Sequence, residues 1–217
     1  MAYKSGMTSK RGAHRGSGFL RIDASGLLDM ARRCEQELGA DAAAATLATA
    51  LGRSRAFIAD EIARQVSAVY ELDESDISQG SATYGDHQRN LNLSAAAGRN
   101  SLIEITYWGR RLTVGGHFPF TPRRPRNRNY RVTTTIRRGS PKQNSARTFV
   151  PNSAKWGHLV WERTERTDAA GRERVQVRHT LSIPEFVGIV YENRDVAEPI
   201  IKHIEEEFIR QWQSRHR

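Results

Sequence analysis

The stretch from Tyr130 to Arg163, YRVTTTIRRGSPKQNSARTFVPNSAKWGHLVWER, decides the fold class. Its first eight residues alternate: Tyr130, Val132, Thr134 and Ile136 fall on one side of an extended chain, and Arg131, Thr133, Thr135 and Arg137 on the other. That period of two is the pattern of a strand with one buried face. Arg138-Gly139-Ser140-Pro141 stops the run, and a polar loop follows. Arg147-Thr148-Phe149-Val150, closed by Pro151, and the β-rich run 158–163 then predict two further strands, read as antiparallel neighbours of the first.

On either side the pattern changes. Upstream, Ile103, Ile105 and Tyr107 alternate, and Leu112 and Val114 follow Gly109, predicting one or two strands within 101–114 that break near the glycine. Downstream, the charged segment 164–174 joins the 158–163 strand to an alternating run over 174–181 as a hairpin, and Pro184 closes that strand. Helical periodicity appears in three places. Asp23 or Ser25 caps a helix carrying Leu27, Leu28, Met30, Ala31, Cys34 and Leu38, which stops at Gly39. Asp41 caps a long alanine-rich helix to Tyr70, with Leu47, Leu51, Ile58, Ile62, Val66 and Val69 on one stripe. The last helix, over 195–213, spaces Val196, Ile200, Ile204, Phe208 and Trp212 by four, with Pro199 in its first turn. The expected fold class is α+β: an antiparallel β-sheet packed by a long helix in the N-terminal half and by a C-terminal amphipathic helix.

A chain of 217 residues fits one substantial core, so 19–217 reads as a single domain preceded by a flexible basic arm at 1–18, which has few apolar side chains to bury. The segment 71–99 reads mostly as loop. Its cluster Glu71, Asp73, Glu74 and Asp76 lacks calcium-loop spacing and is taken as solvated, and Leu91-Asn92-Leu93 with three alanines fits a weak strand or a short turn. No apolar run reaches the ~20 residues that span a bilayer, and the N-terminal segment has charges where a signal peptide has an apolar core. A soluble protein that is not exported by that route, with no membrane partner, is expected. One cysteine, Cys34, makes no internal disulfide.

The net charge of +10 is local: between Arg99 and Arg147 stand twelve basic residues and one acid, Glu104. Such a block favours an anionic partner, either nucleic acid or an acidic protein surface. Within it lies an Arg/Pro-rich loop at 117–129, where three prolines keep the backbone extended and Arg123, Arg124, Arg126 and Arg128 project from it as candidate partner contacts.

Catalytic constellations are absent from the pattern. The seven histidines lack zinc-site spacing, Gly16-Ser17-Gly18 lacks the strand, third glycine and lysine of a phosphate loop, and nothing brings Glu104, Glu162 and His179 together as an acid–base site. No enzyme, metal or cofactor is expected.

Taken in order, ALGRSRAFIADEIARQ, EITYWGRRLTVGGHF, the Arg-Arg-Gly turn after VTTTI, ARTFVP, LVWER, and LSIPEFV followed by a terminal amphipathic helix make the chain resemble the phage minor tail protein Z family over roughly residues 42–213. It departs from that family at Pro119–Arg128, which reads as an insertion or elaborated loop. The resemblance implies a structural virion protein of a long-tailed bacteriophage: a tail-completion or neck protein that assembles in the host cytoplasm into a ring, expected to be hexameric, at the head-proximal end of the tail. The implied neighbours are other copies of itself, the tail terminator protein, the head–tail connector protein and the tape measure protein, with genomic DNA passing through the lumen. On that reading Arg123, Arg124, Arg126 and Arg128 reach another subunit, while Arg137 and Arg138, held at a strand turn, face the DNA. A free nucleic-acid-binding protein outside any virion is the alternative.

Overall fold

A computed structural model describes residues 4–8, 15–23, 25–78, 91–96, 102–125, 129–193 and 197–215. The chain is α+β. It begins with strands β1 (Lys4–Thr8) and β2 (Arg15–Asp23), helices α1 (Ser25–Leu38), α2 (Ala40–Val69) and α3 (Glu74–Ser78), and strands β3 (Leu91–Ala96) and β4 (Leu102–Thr113). Short strands follow: β5 (Phe120–Thr121), β6 (Thr133–Arg137), β7 (Ser140–Gln143), β8 (Thr148–Phe149), β9 (Trp161–Thr167), β10 (Glu173–Val177) and β11 (His179–Ser182). Helices α4 (Ile183–Asn193) and α5 (Glu198–Arg215) close the chain.

The strands form three antiparallel sheets where the sequence reading expects one. In the largest, β4 pairs with β2 along one edge and with β3 and then β11 along the other, while β1 pairs with β2. The described parts of the expected flexible arm are therefore strands: their ladder bonds come from the backbone and need no apolar side chains. β4 runs unbroken past Gly109, which sits opposite Gly16. The other sheets are β5–β6–β7 and β8–β9–β10. Thus β6 takes β5 and β7 as neighbours, and among the described residues β8 pairs with β9 alone, contrary to the expected adjacency of the 130–137 and 147–150 runs. The polar stretch after Gly139 is itself a strand, with Pro141 tolerated at the sheet edge. The run 174–181 divides at Arg178, whose amide donates to Val160 O (2.8 Å) while its carbonyl accepts from Val114 N (2.9 Å), so β10 and β11 enter different sheets.

Helix α2 is central and touches α1, α3, α4, α5 and β3. Thirty residues at 1.5 Å rise make it about 45 Å long. Its N-cap is Gly39 at φ 88°, with Asp41 inside the first turn rather than at the cap. Thr46 and Ser54 bond the carbonyls of Ala42 and Ala50, so their hydroxyls are satisfied inside the packed face. Helix α4 was missed because Pro184 reads as a terminator. Pro184 instead occupies the first turn, and Glu185 supplies the glutamate half of a capping box: Ser182 N and Oγ donate to its Oε2 at 2.6 and 2.9 Å. Ile183, Phe186, Val187, Val190 and Tyr191 bury its inner stripe.

Two apolar clusters result. The larger joins α1, α2, α4 and α5 to Ile105, Leu112 and Phe118, with Phe186 edge-on to Tyr70 at 4.7 Å. The smaller contains Val114, Phe120, Val132, Val150 and Val160, with Tyr130 packed against it. The Tyr130 hydroxyl accepts from Val150 N at 2.9 Å and donates to Val150 O at 3.3 Å. That tie links the segment before β6 to the end of β8.

Candidate functional site

The β5–β6–β7 sheet carries most of the surface that the basic block implies. Val132 and Thr134 are buried, so Arg131, Thr133, Thr135 and Arg137 lie on the opposite, outward face, as the alternation in the sequence predicts. Register places Thr121 and Gln143 beside Thr133, and Pro141 beside Thr135. Arg131, Arg137, Thr121, Pro141 and Gln143 are exposed. This face is polar apart from Pro141 and contains no acid.

The Arg/Pro loop has a rigid root. Phe118 and Phe120 are buried, one in each apolar cluster, and Arg123 lays its guanidinium over the Phe120 ring at 5.9 Å from the centroid. Arg123 and Arg124 are exposed and make no ion pair among the described residues. Arg126 and Arg128 lie outside the described residues.

Arg137 and Arg138, adjacent in sequence, do different work. Arg137 is exposed and unpaired among the described residues, and its backbone forms a bridge with Tyr70. Burial pushes the Tyr70 phenol above its ordinary range, and the Arg137 charge partly offsets that shift. Arg138 is committed to its own chain. Its backbone N donates to Val69 O (2.9 Å), its Nε to Ser67 O (2.5 Å), and its Nη1 lies 3.6 Å from Glu71 Oε2. It thereby caps the C-terminus of α2, where unpaired carbonyls and the negative end of the helix dipole attract a cation. Arg137 and Arg138 therefore differ in their surroundings: Arg137 shares its exposed side with Arg131, whereas Arg138, half exposed, is bonded to the end of α2.

The neighbouring β8–β9–β10 sheet has four arginines in or beside it paired with carboxylates, while Arg166 and Arg174 are exposed and make no ion pair among the described residues. Arg147 meets Glu173 (2.8 Å) and Glu165 (3.8 Å), Arg163 meets Glu173 (3.7 Å), Arg178 meets Glu162 (3.1 Å) and Arg172 meets Asp168 (3.3 Å). The Glu104, Glu162 and His179 trio is not assembled. His179 pairs with Thr113 and Glu104 with Arg21, nine residues apart on β4, about 30 Å along an extended strand, while Glu162 belongs to another sheet.

The acidic cluster after α2 is not wholly solvated, since Asp76 Oδ2 lies 3.0 Å from His117 Nδ1 and Glu71 pairs with Arg138. Two buried carboxylates repeat one helical motif. In Glu61-Ile62-Ala63-Arg64-Gln65 and Glu207-Phe208-Ile209-Arg210-Gln211, the glutamate accepts from the arginine three residues on and the glutamine four on. The Arg64 guanidinium holds the Glu61 carboxyl below the usual carboxylate range. His203 stacks on Phe57 with centroids 3.9 Å apart. Among the described residues no three His, Cys, Asp or Glu side chains gather as a metal site, and no described helix is long and apolar enough to cross a membrane.

The sequence reading named Arg123, Arg124, Arg137 and Arg138 but passed over Arg131, although the alternation in 130–137 already put Arg131 on the Arg137 side. No protein-family model matches this chain, and no curated protein or solved structure matches it significantly.

Proposed function

We propose that the protein is a structural component of a phage virion: a tail-completion protein that forms a ring at the head-proximal end of the tail, joins tail to head and lets DNA pass. The observation that carries this reading is the rooted basic loop. Arg123 and Arg124 stand exposed on a segment whose base, Phe118 and Phe120, is buried, and their own chain offers them no carboxylate among the described residues. Arginines held out in this way suit bidentate pairing with carboxylates of a neighbouring subunit, the tail terminator or the head–tail connector. The α+β fold and the sequence resemblance support the same reading.

Its test is the particle. Deleting the protein is expected to leave heads and tails that are made but poorly joined, or joined and inactive. The protein itself should be found at the head–tail junction of purified virions. Heads and tails that join and infect normally without it would overturn the proposal. The basic β-sheet face favours a second reading, a nucleic-acid-binding protein outside any virion. Such a protein would bind DNA as a monomer or dimer and would not co-purify with tails.

A further inference from the structure

We infer that the outward face of β5–β6–β7 is a docking surface for the phosphate backbone of duplex nucleic acid, built from Arg131 and Arg137 with the hydroxyls of Thr133 and Thr135. The inference takes from the proposed function only that DNA comes near the protein; the residues and the test stand without it. Arg131, two residues before β6, and Arg137, at its end, are both exposed and six residues apart, about 20 Å at strand rise. That length matches the rise of roughly six nucleotides along a duplex. Between the two arginines the face presents Thr133 and Thr135, with Thr121 and Gln143 alongside.

Two features select nucleic acid over protein. A protein interface draws its affinity from apolar and aromatic anchors that bury together at the centre of the patch. Here the centre is threonine and glutamine, and the apolar residues of the sheet, Phe120 and Val132, point into the core. Phosphate contacts need only cations and neutral donors, which is the composition of this face. The second feature is contrast. Arg147, Arg163, Arg172 and Arg178, around β8–β9–β10, are paired with Glu162, Glu165, Asp168 and Glu173, whereas Arg131 and Arg137 have no acidic partner among the described residues. The field at β6 therefore stays positive and releases counterions when phosphates dock.

The test is fluorescence anisotropy of the full chain with a short labelled DNA duplex of arbitrary sequence, across about 50 to 200 mM salt. Arg131→Gln with Arg137→Gln is expected to lower the magnitude of the log K against log salt slope by about two. Arg163→Gln with Arg172→Gln removes as many arginines, both paired with carboxylates, and should move the slope by less than about half a unit. Thr133→Val with Thr135→Val keeps β-branched residues on the strand and should weaken binding severalfold with the slope unchanged, because the hydroxyls carry no charge. Melting curves establish that each variant is folded. Absence of binding at low salt, equal slope losses from both arginine pairs, or displacement of the duplex by polyglutamate of matched charge as readily as by unlabelled duplex would each overturn the inference. If the slopes behave as stated while the protein is missing from the head–tail junction, the virion assignment falls and this surface stands.

Discussion

Arg138 reaches from the β6–β7 turn to the last turn of α2, where its Nε donates to the Ser67 carbonyl at 2.5 Å. With the Val69 and Glu71 contacts, this contact holds the small β-sheet against the central helix. Arg138→Ala is expected to cost about 1–2 kcal/mol, because a charged donor and a favourable charge at a helix C-terminus are lost together from a half-exposed site. Arg137→Ala, one residue away, should stay within about 0.5 kcal/mol. Urea denaturation of the two single variants checks the pair, and equal effects would show that neither arginine anchors the helix. For the same reason Arg137→Glu with Arg138→Glu is a poor probe of DNA contact, since it also breaks the α2 cap.

Gly115 and Gly139 both have positive φ, 92° and 67°, but their surroundings differ. A Cβ on Gly115 would meet His158 O at 2.5 Å and Phe120 Cε1 at 2.9 Å, whereas one on Gly139 would meet nothing within 4 Å. Gly139→Ala should therefore cost only the left-handed backbone strain, about 1–2 kcal/mol. Gly115→Ala adds a backbone clash at the root of the Arg/Pro loop, so its loss should exceed that of Gly139→Ala by about 1 kcal/mol or more. Thermal midpoints measured side by side decide it.

How far the sequence could be read follows from where its signals are local. The 130–137 alternation gave the buried and exposed sides of β6 correctly, and the stripes in α2 and α5 marked helices that do pack in the core. Strand partners were not legible. Whether Thr134 pairs with Lys142 or with a residue near Phe149 depends on turn geometry and on the distant Val114–Val160 contacts, not on the strand's own pattern. β7, with every residue exposed, has no hydrophobic period to detect. Helix α4 carried a readable Ser-x-x-Glu cap that Pro184 masked. In the candidate surface, the arginines could be counted from sequence but not sorted: only the structure separates Arg138, spent on α2, from Arg137.

Glu61 makes stability depend on pH in a defined direction. Hydrogen bonds from Arg64, and then from Gln65, hold its folded-state carboxyl below the ordinary glutamate value of 4.5, against the opposing effect of burial. A carboxyl depressed on folding adds stability above its unfolded pKa, and that contribution is lost as pH falls through the folded value. Glu61→Gln is expected to cost about 1 kcal/mol at neutral pH, discounted because Arg64 is largely exposed. The gap between the variant and the native protein should shrink once pH drops below 4.5. A gap that is constant from neutral to acid would mean that the ionised carboxylate contributes nothing.

The Arg/Pro loop gives the assembly prediction. Arg123 and Arg124 are exposed, so Arg123→Glu with Arg124→Glu removes little packing beyond the contact of Arg123 with the Phe120 ring, worth about 0.5–1 kcal/mol at an exposed site. The isolated chain should therefore fold and melt nearly as the native protein does. Assembly is a different matter. If these arginines meet carboxylates of a neighbouring subunit, each reversal replaces an attraction by a repulsion, and opposed like charges at an interface cost several kcal/mol. Ring formation, or docking to the adjoining neck proteins, is then expected to fall by orders of magnitude, read by sedimentation and by counting joined particles. Arg131→Gln with Arg137→Gln should leave joining intact and weaken only the DNA contact. Normal neck rings in virions carrying the double glutamate variant would refute the assignment of the loop, because a salt-sensitive contact between subunits cannot survive reversal of two of its charges.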